Sequence, residues 1–147
     1  MNRLASRLAL LALLPLSGCS MLGLTRPVNV EHERVTTDSG VVLEDLIPGD
    51  GPFIQEGQRI RVDYVGFLED GTQFDSSLDR GVPIEFVFGE APIAGWDEGL
   101  AGMHVHGKRR MELPPELAYG EAGVPGLVPA NARLTFELEV LEIVDGE

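Results

Sequence analysis

The 147-residue chain has room for one domain with a proper hydrophobic core. Its 24 acidic and 11 basic side chains give a net charge of −13. That balance lacks the basic footprint needed to bind nucleic acid and serves solubility instead.

Taken from its start, the chain opens on a processing signal. Arg3 and Arg7 are positive, and Leu8 to Leu16 is an apolar run too short to span a bilayer. Leu16-Ser17-Gly18-Cys19 then resembles a bacterial lipobox, whose cysteine is lipidated and becomes the first mature residue. Residues 1–18 are therefore expected to be a lipoprotein signal peptide and Cys19 the site of lipid (palmitate) attachment. Cys19 is the only cysteine, so no internal disulfide is available. Loss of Arg3 and Arg7 leaves nine basic and 24 acidic residues, a net of −15. Ser20 in place of aspartate resembles the sorting pattern for the outer membrane. The expected location is the bacterial envelope, lipid-anchored in the outer membrane and facing the periplasm. Ser20 to about Asp38 sustains no period of two or 3.6, and Pro27 interrupts it. Residues 19–38 thus read as a tether and 39–147 as the folded domain.

Within that domain strand signals dominate. Val41 to Ile47 forms a first strand, stopped by the turn cluster Pro48-Gly49-Asp50-Gly51. Gln58 to Leu68 alternates: Ile60, Val62 and Tyr64 point one way, Arg59, Arg61 and Asp63 the other, as in a sheet with one wet face. Glu69-Asp70-Gly71 supplies a hairpin turn, and Thr72 to Asp75 runs back. Ile84, Phe86 and Phe88 alternate before Gly89. Arg109, Met111 and Leu113 alternate up to Pro114-Pro115, and a long glycine- and proline-rich loop follows. Leu134, Phe136, Leu138 and Val140 form the last strand.

Between strands lies Gly89 to Met103, which holds the only tryptophan. Ile93, Trp96 and Leu100 share one helical face, and Asp97 and Glu98 suit the positive end of a helix. Gly95, Gly99 and Gly102 each cost a helix interior about 0.8–1 kcal/mol relative to alanine, so neighbouring strands must hold this segment. The fold class expected is α+β, an antiparallel five- to six-stranded sheet wrapped around one short helix.

Three blocks then resemble one family. They are Val62-Asp63-Tyr64-Val65-Gly66 leading through Asp70-Gly71 to Phe74-Asp75-Ser76-Ser77; Gly95-Trp96-Asp97-Glu98-Gly99-Leu100; and Pro115-Glu116-Leu117-Ala118-Tyr119-Gly120 with Gly126-Leu127-Val128-Pro129. In this order they are similar to the FKBP-type peptidyl-prolyl cis–trans isomerases, across about Gly40 to Val144. The resemblance implies an apolar pocket floored by Trp96, with Tyr64, Phe74, Ile84, Ile93, Leu127, Val128 and Phe136 as walls. Asp75 and Tyr119 would stand at its rim, Arg80 would order the aspartate, and the Ile93 backbone would donate a hydrogen bond. It points to Tyr64, Phe74, Asp75, Trp96, Tyr119 and Phe136 as catalytic, and to Arg80, Ile84, Phe86, Pro92, Ile93, Val124, Leu127 and Val128 as substrate-binding. Ile84 replaces a second aromatic of strong macrolide binders, Val124 a frequent histidine, and Pro92 an aliphatic wall residue. These departures bear on drug affinity and on the residue preferred before proline.

No metal or cofactor is implied. Rotation about a peptide bond faces a barrier of roughly 18–20 kcal/mol because it breaks amide resonance. The twisted amide is less polar than the planar one, so a dry apolar site favours it, which is the differential binding catalysis requires. Asp75 is expected to organise the rim and to place a negative field beside the rotating carbonyl. Tyr119 either donates to the substrate carbonyl or pins the long loop. Ser76 and Ser77 lack a nucleophile-elbow context. His104 and His106 read as surface turn residues, and Lys108-Arg109-Arg110 as solvated or paired with carboxylates. The expected protein is a monomeric, lipid-anchored isomerase acting on proline-containing exported proteins, with macrolides as further ligands. Its rivals are a non-catalytic chaperone or partner-binding module using the same cleft, and a purely structural envelope lipoprotein.

Overall fold

A computed structural model describes residues 32–144. The expected signal peptide, Cys19 and the tether up to residue 31 lie outside them. Seven strands form one antiparallel sheet: β1 Arg34–Thr36, β2 Val42–Ile47, β3 Arg59–Phe67, β4 Gln73–Ser76, β5 Ile84–Val87, β6 Lys108–Leu113 and β7 Leu134–Val144. They lie in the order β1-β2-β6-β7-β3-β4, with β5 also paired to β3. β5 pairs with Arg59 to Val62 and β4 with Val65 to Phe67, so the two shorter strands share one edge of β3.

The antiparallel sheet with its short central helix is the fold expected from sequence, although the strand count is higher. The first addition corrects the tether reading: Arg34–Thr36 pairs with Val42–Glu44, ahead of the expected boundary at Ser39. All three β1 residues are exposed, so no alternation of apolar and polar side chains marks them. Two helices join the sheet, α1 Ser77–Arg80 and α2 Ala94–Leu100. The α1 turn was not expected. Ser76 caps it by accepting from the Asp79 N–H, and Gly81 ends it at φ +69°.

Alternation in the sequence becomes a buried face in space. Ile60, Val62, Met111, Leu113, Leu134, Phe136, Leu138 and Val140 are each 0 % exposed. The opposite face is laced with charge: Arg61 stands in register with Glu85 on β5 and Glu142 on β7 and pairs with both. Lys108 and Arg110 reach Glu137. Such exposed pairs serve register more than stability.

The inner member of that basic run behaves differently. Arg109 is buried, binds the Asp45 carboxylate through Nε at 2.6 Å, and donates to the Gly99 and Ala101 carbonyls at 2.8 Å. A helix end leaves its last carbonyls without intrahelical partners, and this guanidinium supplies them for α2. At the other end, Asp97 accepts from the Gly89 N–H at 2.8 Å and from the Ala91 N–H. Ser39, in the turn after β1, donates to Glu98 on α2. A seven-residue helix too short to persist alone is thus fastened by the strands and turns around it.

Candidate functional site

A concave feature lies where β3, β5 and α2 meet. It is a hollow of about 420 Å³ lined by Tyr64, Asp75, Ile84, Glu85, Phe86, Glu90, Pro92, Ile93, Trp96 and Tyr119. Each lining group has a local reason for its position. Tyr64 lies on the buried face of β3, and Ile84 and Phe86 share one side of β5 by strand alternation. Ile93 is the residue before α2, and Trp96 sits on the buried face of that helix at 1 % exposure.

The indole is held edge-on by its neighbours. Its ring centroid lies 5.0 Å from Tyr64 and 5.3 Å from Phe136, with interplanar angles of 61° and 83°. Edge-to-face pairs of this kind add about 0.5–1.5 kcal/mol beyond their area burial. The indole Nε1 is the buried side-chain polar atom without a hydrogen-bond partner among the described residues. Tilting the ring to find a partner would break both aromatic contacts.

At the rim, charge is organised by the short α1 turn. Asp75 accepts from the Tyr64 hydroxyl through Oδ2, and from Arg80 and the Ser76 N–H through Oδ1. Arg80 also donates to the Tyr64 hydroxyl at 2.8 Å and lies 5.6 Å from the centre of that ring. α1 is what carries Arg80 back over Asp75. Ser77, fully buried, accepts from the Tyr64 N–H at 2.8 Å and donates to Asp63 at 2.7 Å. The two serines are thus a helix cap and a strand-to-helix clamp.

These contacts set the ionisation of the site. Burial alone would raise the Asp75 carboxyl, but the Tyr64 hydroxyl and Arg80 outweigh it and hold Asp75 below its ordinary value. Tyr64 is pushed up by burial and by the Asp75 carboxylate. Tyr119 is raised by burial and by the charge of Asp75. At this rim the pocket therefore offers neutral hydroxyls and a compensated Asp75 carboxylate across the neutral range.

Not every sequence candidate reaches the hollow. Phe136 is 0 % exposed and stands behind the lining, 5.7 Å from Phe74 and 5.3 Å from Trp96. Phe74 packs edge-on to Tyr119 at 6.5 Å and is likewise a supporting ring. Both were expected as walls. Arg80 acts through Asp75 and Tyr64. Val124, Leu127 and Val128 line a second hollow of about 480 Å³ with Leu68, Ala122, Pro125, Gly126, Pro129 and Ala130. They separate because the loop doubles back: Val124 and Val128 exchange backbone hydrogen bonds, with Gly123 and Gly126 at φ +58° and +74°. No titratable or aromatic side chain lines that second hollow. Glu85 and Glu90 line the first one and were missed. A carboxylate beside an apolar strand reads as solvent-facing, and nothing in the local pattern signals otherwise. His104 and His106 sit in the turn before β6, His106 at φ +68° and paired with Asp50.

This arrangement of one sheet, one tryptophan-bearing helix and an aromatic hollow matches known proteins along most of the chain. The model of the family "FKBP-type peptidyl-prolyl cis-trans isomerase" matches residues 51–141. An FK506-binding protein of Neisseria meningitidis serogroup B is 45% identical over 107 residues, which cover 72% of this chain and 98% of that protein. Peptidyl-prolyl cis-trans isomerase FKBP1A of Xenopus laevis is 46% identical over 106 residues, 71% of this chain and 98% of that one. Among solved structures, AtFKBP13 superposes with a TM-score of 0.71 at 38% identity, covering 76% of this chain and 99% of that one. FkpA from Escherichia coli gives 0.69 at 40% identity, covering 75% of this chain and 51% of that one. The chain belongs to the FKBP-type peptidyl-prolyl cis–trans isomerases.

Proposed function

We propose that the hollow above Trp96 is where this enzyme accelerates cis–trans exchange at X–Pro bonds of exported proteins. The observation that carries the reading is an indole floor ringed by aromatic and aliphatic side chains, with its one rim aspartate already compensated. Uncatalysed X–Pro exchange takes tens to hundreds of seconds. A bound prolyl ring on the indole gives up water, and the planar, charge-separated amide loses more solvation than the twisted one. Each 1.36 kcal/mol of that difference speeds exchange tenfold. Asp75, fixed by Tyr64 and Arg80, sets the field at the rim without adding an unpaired charge. The Tyr119 hydroxyl accepts and donates no hydrogen bond among the described residues, which favours its use toward a substrate carbonyl. Its backbone carbonyl, accepting from Gly123, anchors the loop. The Ile93 N–H has no backbone acceptor among the described residues and is available to a peptide carbonyl.

Two-dimensional NMR exchange on a proline peptide tests this reading. The expected outcome is catalysed exchange with kcat/KM flat from about pH 5 to about pH 9, because Asp75 stays ionised well below that window and the tyrosines stay neutral above it. The stability that Asp75 confers is present above the ordinary aspartate value and is lost only as pH falls through its lowered one. A bell-shaped profile centred near neutrality, or no exchange above the uncatalysed rate, would overturn it.

We further propose that the domain works as a monomer anchored by lipid on Cys19 to the envelope, in the outer membrane and facing the periplasm. The support is the signal-like start and the lipobox pattern. Cys19→Ala is expected to move the protein from the membrane fraction to the soluble one. An unchanged distribution would remove the anchor.

A further inference from the structure

The mechanism above makes no use of the two glutamates in the hollow, and their situations differ. Glu85 is occupied: Arg61 binds it through Nε at 2.8 Å. Glu90 lies in the connection from β5 to α2, exposed, with no ion pair or side-chain hydrogen bond among the described residues. Its backbone is nonetheless fixed. The Glu90 N–H donates to the Val87 carbonyl at 2.9 Å, and the N–H groups of Gly89 and Ala91 on either side both donate to Asp97. An unpaired carboxylate is thus presented on a rigid turn at the wall of the substrate hollow. Of the cations in these contacts, Arg80 is committed to Asp75 and Tyr64, and Arg61 to Glu85 and Glu142. Around the hollow, Asp75, Glu85, Glu90 and Asp97 outnumber those two arginines in a molecule already at −13.

Resting on the isomerase reading, we propose that Glu90 selects peptides that carry a lysine or arginine beside the prolyl bond. A cation there gains a partner without displacing an existing one, whereas a carboxylate meets uncompensated like charge. The site is open to water, so the preference is modest: exposed ion pairs convert to about two- to fivefold in kcat/KM. It is also sensitive to salt, since the Debye length falls to about 3 Å at 1 M.

The test uses peptides differing only in Lys, Leu or Glu, placed before proline in one set and after it in another. Exchange is followed by NMR at low and high salt. At low salt one set is expected to favour lysine over glutamate by about two- to fivefold, with the ratio approaching one at high salt. Glu90→Gln should lower the ratio and Glu90→Lys invert it. Glu33→Gln, which removes the same charge beside β1 at the opposite edge of the sheet, should leave the ratio in place. A ratio of one in both sets, or one that survives Glu90→Lys, would overturn the proposal. So would a ratio that falls equally with Glu33→Gln, which would assign it to overall charge. Absence of exchange on the leucine peptides would count against the isomerase reading instead. Chemical-shift titrations with the same peptides then read the charge preference directly.

Discussion

Trp96→Ala is expected to lower stability by about 3–5 kcal/mol, the range for a buried large aromatic cut to a methyl, and to abolish catalysed prolyl exchange. The indole is 1 % exposed and meets Tyr64, Phe86 and Phe136 at centroid distances of 5.0, 6.0 and 5.3 Å. Its removal therefore empties the core and the floor of the hollow at once. Trp96→Phe separates the two effects: most of the packing is restored, while the floor shrinks. Urea unfolding should then show a loss of about 1–3 kcal/mol, and exchange should remain well below wild type. Full exchange activity in a folded Trp96→Phe protein would show that the indole surface is not what the substrate uses.

Gly95→Ala is expected to destabilise the domain by about 1–3 kcal/mol, against the sign of helix propensity. In an isolated helix the same change gains about 0.8–1 kcal/mol. Here a Cβ at position 95 would lie 2.6 Å from Leu113 Cδ2 and 3.0 Å from the Leu117 carbonyl oxygen. Leu113 is fully buried and a backbone oxygen cannot step aside, so overpacking wins. Gly99→Ala is expected to cost less, because its Cβ would meet Met111 Sδ and Cε at 2.5 and 2.6 Å, the end of a flexible side chain. The midpoint of urea denaturation at constant m-value reads both. A stabilised Gly95→Ala protein would mean that α2 is not pressed against β6 as described.

Much of this was legible in the chain because two-residue alternation translates directly into a buried sheet face. Ile60, Val62 and Tyr64, and Leu134 to Val140, lie where the pattern put them. The segment around Trp96 was identified as a helix needing outside support, and Arg109, Asp97 and Ser39 supply it. What escaped notice lacks a periodic signature. β1 is three exposed residues held by backbone pairing to β2 and by the ion pair of Arg34 with Glu112. The α1 turn is a single capped turn, visible in Ser76 and Gly81 only once their roles are known. Phe136 and Phe74 share the strand pattern of a true wall, because one alternation places both the lining and the ring behind it on the same side. The loop carrying Val124, Leu127 and Val128 is shaped by left-handed glycines, and hydropathy carries no record of where such a loop closes.

The longest strand has a consequence for how the molecule comes into being. β7 sits between β6 and β3, its partner residues on β3 lying 68 to 85 positions earlier in the chain. A polypeptide delivered from its amino end cannot complete the middle of its sheet until that late segment has emerged, and non-local pairings of this kind fold on the order of milliseconds to seconds. Until then β3 waits with an open side, exposed to mispairing.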